Sequence, residues 1–245
     1  MDENQRTFEF AARFACEKGI ARYTRFLDPV QCAEARQIAR ERGTAFASWG
    51  GYDGAERQIG CFLPWDETVS RDDFPLVTLH SRYSSKFCSL SHRDLLGAFM
   101  ALGLTRDSIG DIIIVDSDIY LFVMAQTADF IAQSMSSAGK VPLHFAPVIG
   151  DIRIPEPKGS CFHDTLSSLR LDAVIAAAYR LSRSEASDMI RAGLIKLNHM
   201  PCERVDAAVE EGAMLSARGK GRIKLQKVEG LTRKQRIGVT FFRYE

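Results

Sequence analysis

The sequence lacks the signatures of several protein classes at once. Its six cysteines are Cys16, Cys32, Cys61, Cys88, Cys161 and Cys202, and no two stand as a Cys-x-x-Cys pair. The five histidines complete no metal-ligand spacing with them. Reduced, mostly buried thiols are therefore expected, with neither a zinc site nor a disulfide framework. No apolar run approaches the ~18–20 residues that a membrane span needs. The first twenty residues carry Asp2, Glu3, Glu9 and Glu17, the wrong composition for a secretory or transit signal, so a cytoplasmic location is the expectation. There is no low-complexity tract and no internal repeat. No Gly-Lys-Ser/Thr ending follows any glycine-rich loop, which removes the usual nucleotide phosphate loop. No nucleophile–base pair, paired carboxylates or cofactor motif stands at a recognisable spacing, so no cofactor and no small-molecule substrate are expected.

What is present is a hidden charge asymmetry. The net charge of the 245 residues is only +1. Residues 166–245, however, hold 15 Lys+Arg against 9 Asp+Glu, a surplus of +6, and the residues before them hold 17 against 22. A cationic C-terminal segment on an acidic body points to a polyanion partner for that segment.

Periodicity predicts an α+β chain. A helix is expected over Gln5–Lys18. A second follows Asp28, where Asp28 as N-cap, Pro29 at the first helical position and Gln31 at the third form a capping-box pattern, and Gly43 ends it. Two extended runs, Thr44–Trp49 and Arg57–Trp65, flank Gly50-Gly51-Tyr52-Asp53-Gly54 as a hairpin with a wide loop. Then come strand Phe74–Ser81, helix His92–Leu102, strands Asp111–Val115 and Ile119–Ala125, helix Thr127–Ser137 and strand Val141–Ile149. That β-α-β-β-α-β order is ferredoxin-like, the arrangement of RNA-recognition modules, although only Tyr120 and Phe122 stand where stacking aromatics would be sought. Asp151–Thr165, with Pro155, Pro157 and Gly159, reads as a linker. The expected division is a helical and hairpin domain over 1–72, the RNA-recognition-like domain over 73–152 and a small α+β domain over 166–245.

In the last segment, Ser182 and Glu185 form another capping box, and Arg183, Ser184, Ser187 and Arg191 share a helix side away from Ala186, Met189 and Ile190. Cations and hydroxyls on one face suit phosphate oxygens. Lys196 lies on a following strand, and Arg218-Gly219-Lys220-Gly221-Arg222 alternates cations with glycines, so backbone can approach a phosphate closely. Arg170-Leu171-Asp172, Leu181-Ser182-Arg183-Ser184, Ile190-Arg191-Ala192-Gly193, Lys196-Leu197-Asn198 and the late Gly212…Arg222 stretch resemble the RNA-binding domain named after ribosomal small-subunit protein four. His199 departs from it, because a glycine usually follows the asparagine.

Phe26-Leu27-Asp28-Pro29, the stretch Gly50 to Arg57, the run His92-Arg93-Asp94-Leu95-Leu96-Gly97-Ala98, and Arg106 with Ile109-Gly110-Asp111-Ile112 resemble the YlmH family of bacterial ribosome-associated proteins. The resemblance implies ribosomal RNA of the large subunit and transfer RNA as partners, and a role in rescue or quality control of stalled nascent chains. With it, the RNA-binding candidates are Arg170, Ser182, Arg183, Ser184, Arg191, Lys196, Asn198, Arg218, Lys220 and Arg222, joined by Arg57, His92, Arg93 and Arg106. His92 and Arg93 stand equally well as RNA contacts or as parts of a local cap and ion-pair set. His92-Arg93-Asp94-Leu95 imitates a kinase catalytic loop, but Phe99 occupies the required asparagine position and no Asp-Phe-Gly follows. Arg170-Leu171-Asp172 imitates the catalytic triplet of pseudouridine synthases. That leaves an RNA-modifying enzyme as the alternative to a non-catalytic RNA-binding protein, with a structural or RNA-positioning role expected for the triplet.

Overall fold

The structure is a computed structural model in which residues 3–84, 90–148, 150, 159–232 and 235–244 are described. It divides into two compact units, Met1–Pro155 and Glu156–Glu245.

The first unit opens with α1 (Glu3–Lys18), β1 (Arg22–Leu27), α2 (Pro29–Arg42), β2 (Ala45–Trp49) and β3 (Gln58–Leu63). The Asp28 capping box forms as its sequence predicts, with Gln31 N–H donating to Asp28 Oδ1 at 2.8 Å and Asp28 N–H to Gln31 Oε1 at 2.9 Å. Gly43 closes the helix in the left-handed conformation. β1 was not expected; it pairs with β3, giving an antiparallel sheet in the order β1-β3-β2. Its alternation Tyr23-Thr24-Arg25-Phe26 carries few apolar residues, so period-2 reading does not find it. Neighbouring residues point to opposite faces. Leu27 and Phe62 pack under α1 and α2, while Phe26, Ile59, Cys61 and Leu63 face the other way. Cys32 and Cys61 are buried thiols, their pKa pushed up to about 11 by burial, but Cys16 and Cys161 are exposed and Cys202 half-buried, so the described thiols are not mostly buried as expected. Cys88 lies outside the described residues.

The expected ferredoxin-like arrangement follows: β4 (Leu76–Arg82), α3 (His92–Ala101), β5 (Ile109–Val115), β6 (Asp118–Met124) and α4 (Ala125–Ser134). The closing segment is not the continuous strand Val141–Ile149. It is broken into β7 (Ser137–Ala138) with β8 (Val141–Pro142), then β9 (Ala146–Pro147), with Ile149 outside the described residues. Pro142 and Pro147 have no N–H to give a ladder, which limits each pairing to two residues. The sheet order is β5-β6-β4-β9, all pairs antiparallel. On β6, Ile119, Leu121 and Val123 face α3 and α4. Phe122 and Met124 face the layer that also holds Phe26, Ile59, Cys61, Leu63 and Phe74. The expected boundary at residues 72/73 therefore falls within one unit, where a shared apolar layer joins two sheets.

The second unit holds β10 (Gly159–Leu166), α5 (Leu171–Tyr179), α6 (Arg183–Arg191), β11 (Ile195–Leu197), β12 (Met200–Pro201), β13 (Met214–Ala217), β14 (Gly221–Leu231) and β15 (Ile237–Tyr244). They form a sheet in the order β10-β15-β14-β13-β11-β12. Residues 159–165, expected as linker, instead pair along β15 from Gly159↔Tyr244 to Thr165↔Gly238, while residues 151–158 lie outside the described set. Polar residues at Ser160, His163 and Asp164 mask this edge strand from a hydrophobicity reading. Leu171, Val174, Ile175, Ala186 and Ile190 of the two helices pack on Leu215, Ile223, Leu225, Val239 and Phe241 of the sheet.

Candidate nucleic-acid interface

In the second unit, the register of the central strands builds one cationic row. Lys196 of β11 stands opposite Ser216 of β13, and Ser216 stands opposite Arg222 of β14. Their neighbours Ile195, Leu215 and Ile223 are fully buried, so Lys196, Ser216 and Arg222 project from the outer face. The turn from β13 to β14 adds Arg218. These residues, with Gly193, Leu194, His199, Gly219 and Gly221, line a groove of about 600 Å³. Gly219 and Gly221 have φ of 78° and 84°, a left-handed backbone that their lack of Cβ permits. Tyr179 fixes the base of this turn, donating from its hydroxyl to the carbonyls of Leu215 and Gly221, both at 3.1 Å. Among the described residues the side chains of Lys196 and Arg218 have no hydrogen-bond or ion-pair partner. Their charge is free for a phosphate.

His199 takes φ 69° and Asn198 φ 48°. The two form the loop of the β11–β12 hairpin, whose two-residue geometry demands positive φ at both positions. The departure from glycine therefore leaves the turn intact. Asn198 is tied inward: its Oδ1 accepts from Met214 N–H at 2.9 Å.

The helix face expected to meet phosphate is largely engaged with the protein itself. Arg183 Nη2 donates to Asp172 Oδ2 at 2.6 Å, and Arg170 Nε donates to Asp172 Oδ1 at 3.3 Å. Burial alone would raise the Asp172 carboxyl, but the two arginines override it and hold it below the usual carboxylate range. Asp172 thus serves as the buried counter-ion linking the start of α5 to the start of α6. Ser187 Oγ donates to the Arg183 carbonyl at 2.8 Å, and Arg191 pairs with Asp188 at 3.6 Å. The Ser182–Glu185 capping box forms. Ser184 is exposed on the first turn of α6, and the Glu185 carboxyl is lowered chiefly by its cap hydrogen bonds with Ser182, with Lys220 a lesser cause.

In the first unit, Tyr52, Glu56 and Arg57 converge on Asp111, whose charge His92 and Arg106 also feel. Its carboxylate accepts from Tyr52 Oη at 2.8 Å, from Glu56 N–H at 2.7 Å and from Arg57 N–H at 3.2 Å. Arg57 donates from Nε to the Ile109 carbonyl and from Nη2 to the Phe26 carbonyl. Arg106 Nη1 donates to the carbonyls of Ile109 and Gly110. Burial, then the neighbouring Arg57 charge, lowers the Arg106 pKa to about 10. Arg57 and Arg106, expected at an RNA surface, thus direct guanidinium donors into the protein, where they satisfy carbonyls at the strand edges. The glycines of the wide loop are explained by packing. A Cβ on Gly51 would stand 2.3 Å from the Phe122 ring, and one on Gly50 would stand 2.4 Å from the Arg57 carbonyl. The Tyr52 ring covers Phe122 at 5.0 Å between centroids, so Phe122 is fully buried and unavailable to a base. Tyr120, partly exposed, stacks on His80. At the start of α3, Asp94 closes a capping box with Ser91, while His92 and Arg93 are exposed. Partial burial, then Arg106, lowers the His92 pKa.

Helix-pair-on-sheet architecture with an outward-facing cationic row marks the second unit as an RNA-binding module, joined in one chain to a ferredoxin-like module. Comparison with known proteins agrees. Residues 70–151 match the model of the putative RNA-binding domain in YlmH, and residues 169–215 match the S4 domain. Ribosome-associated protein quality control protein P2 of Bacillus subtilis (strain 168) is 39% identical over 232 residues, 94% of this chain and 90% of that protein. The chain belongs to the YlmH family. The solved structure of cell division protein ylmH from Streptococcus pneumoniae shares the fold, with a TM-score of 0.50 and 21% identity over 61% of this chain and 93% of that one.

Proposed function

We propose that the protein is a non-catalytic RNA-binding protein of the cytoplasm that associates with the large ribosomal subunit and transfer RNA, in rescue or quality control of stalled nascent chains. The relative from Bacillus subtilis bears the name of a ribosome-associated quality-control protein, which supports the ribosomal part of this reading. The observation that carries the RNA part is the groove of Lys196, Arg218 and Arg222, with two cations that no protein group neutralises among the described residues. Phosphate contacts supply most sequence-independent affinity for nucleic acid. His92, Arg93 and Arg191 are proposed as exposed secondary contacts.

Sucrose-gradient sedimentation tests the reading. The wild-type protein is expected to travel with large subunits, more so when they retain peptidyl-transfer RNA. Lys196→Glu with Arg218→Glu is the appropriate release variant, because neither side chain supports the fold. Arg183→Glu would confound the result, since it places a second carboxylate against buried Asp172. Full co-sedimentation of the folded Lys196/Arg218 double variant would remove the groove from the interface. Loss of a specific pseudouridine in cells lacking the protein, restored by the purified chain, would favour the enzyme.

A further inference from the structure

A second cationic cavity lies in the same unit, built partly by residues outside the matched S4 segment. It has a volume of about 420 Å³ and is lined by Arg180 and Leu181 after α5, Arg183 at the start of α6, Arg236 before β15, and Thr165 and Ser167 at the end of β10. Arg236 and Thr165 fall beyond residues 169–215. Three guanidinium-bearing residues, two from the α5–α6 turn and one from the approach to β15, thus meet around one space, with two hydroxyls among them.

Each charge there has a traceable state. Arg183 is paired with Asp172. Arg236 donates to Thr165 Oγ1 at 2.9 Å and to the Thr165 carbonyl at 2.5 Å, and has no carboxylate partner among the described residues. Asp164, also at the cavity, accepts from the Thr165 N–H at 2.6 Å. Arg180 is exposed, and its side chain has no partner among the described residues.

The backbone at Arg180 is a second, independent observation. It ends α5 at φ 55° and ψ 52°, its N–H donating to the carbonyls of Ala176 and Ala177. Glycine is the residue that fits this left-handed cap without strain. A side chain here costs stability, and no described residue uses its charge.

We propose that Arg180, Arg183 and Arg236 form a phosphate subsite for the RNA backbone, separate from the Lys196–Arg222 groove. This rests on the RNA-binding reading above. α6 connects the two sites, with Arg183 lining the cavity and Gly193, just past the helix end, lining the groove. At 1.5 Å per residue, the nine residues of α6 set the sites about 13 Å apart. One RNA segment laid along the helix therefore meets cations at both ends. Guanidinium forks match the phosphate oxygens in pairs, which favours a phosphodiester over a simple carboxylate.

The test compares Arg180→Gly and Arg180→Lys in the full-length chain, using a fluorescein-labelled RNA stem-loop across a salt series and thermal unfolding in parallel. Glycine relieves the cap while removing the charge. The expected result is an unchanged or higher melting temperature together with RNA binding about three- to tenfold weaker, and a log–log salt slope smaller by about 0.7–0.9. Arg180→Lys keeps the charge and is expected to retain the wild-type slope. Wild-type affinity and slope in Arg180→Gly would overturn the subsite while leaving the groove standing, provided Lys196→Glu with Arg218→Glu weakens binding to the same stem-loop. If the wild type does not bind the stem-loop, or if the Lys196/Arg218 variant also binds as wild type, the RNA-binding reading falls and the subsite with it.

Discussion

Arg57 and Arg106 in the first unit and Lys196 and Arg218 in the second are all cations within family motifs, yet they end in opposite conditions. The first pair turns guanidinium donors onto the carbonyls of Phe26, Ile109 and Gly110. The second pair ends in an open groove with no internal partner among the described residues. A motif cation is thus evidence for a polyanion only when the fold leaves its charge unused. In the first unit the motif residues instead hold a loop against a sheet through Asp111.

The contrast predicts opposite phenotypes. Arg57→Ala should cost the most stability. It removes two charge-assisted hydrogen bonds, and the Ile109 carbonyl keeps a donor in Arg106 while the Phe26 carbonyl loses its side-chain donor, a loss of about 3 kcal/mol. Urea denaturation is expected to show this loss, with RNA affinity at low denaturant little changed. A variant that folds with wild-type stability but loses RNA binding would erase the distinction between the two units. Lys196→Glu with Arg218→Glu should do the reverse. RNA affinity at low salt is expected to fall about 30-fold, or about 2 kcal/mol, with the salt slope reduced by about 0.7–0.9 for each lost contact. Its urea midpoint should match the wild type.

Asp172 stands between these extremes, since Arg170 and Arg183 are half-exposed but share a buried carboxylate. Asp172→Asn is expected to cost about 1.5 kcal/mol at neutral pH. Because the folded carboxyl is held below its ordinary value, its stabilising share is complete above the usual carboxylate pKa of about 3.9 and disappears as pH falls through the lower folded value. The stability gap between wild type and Asp172→Asn should therefore narrow on acidification below that point. A gap constant from neutral pH into strong acid would show that the ion pairs contribute nothing.

Much of the fold was legible because local signals agreed with it. The Asp28 and Ser182 caps are short-range devices, and the period-2 apolar pattern of Ile119, Leu121 and Val123 is one a strand must show when one face is covered by helices. β1, β10 and β15 were not legible as strands. β1 and β10 are edge strands with polar alternation, and β15 pairs β10 across 71 to 85 residues, from Leu166↔Ile237 to Gly159↔Tyr244. The cationic candidates were legible by residue type, but not by state. No local rule tells that Arg57 turns inward, that Gly51 presses on Phe122, or that Arg180 and Arg236 meet. Each depends on contacts distant in sequence. His199 alone stood out by departing from a pattern.

That departure gives the smallest of the expected effects. His199 has φ 69° in a two-residue hairpin loop, where a left-handed L-residue costs roughly 1–2 kcal/mol. Glycine removes the clash between Cβ and backbone but enlarges the freedom of the unfolded chain, which takes back part of the gain. The net expectation for His199→Gly is a stabilisation of about 0.5–1 kcal/mol, read as a higher urea midpoint at unchanged slope. His199 also lines the groove beside Lys196 and Arg222, so the same variant separates packing from recognition. Phosphate binding driven by Lys196 and Arg218 should leave RNA affinity and its salt slope as they are. A gain in stability accompanied by a clear loss of affinity would make the imidazole itself an RNA contact, and would place the strain at residue 199 in the same class as the strain at Arg180: backbone cost retained for a side chain that faces the nucleic acid.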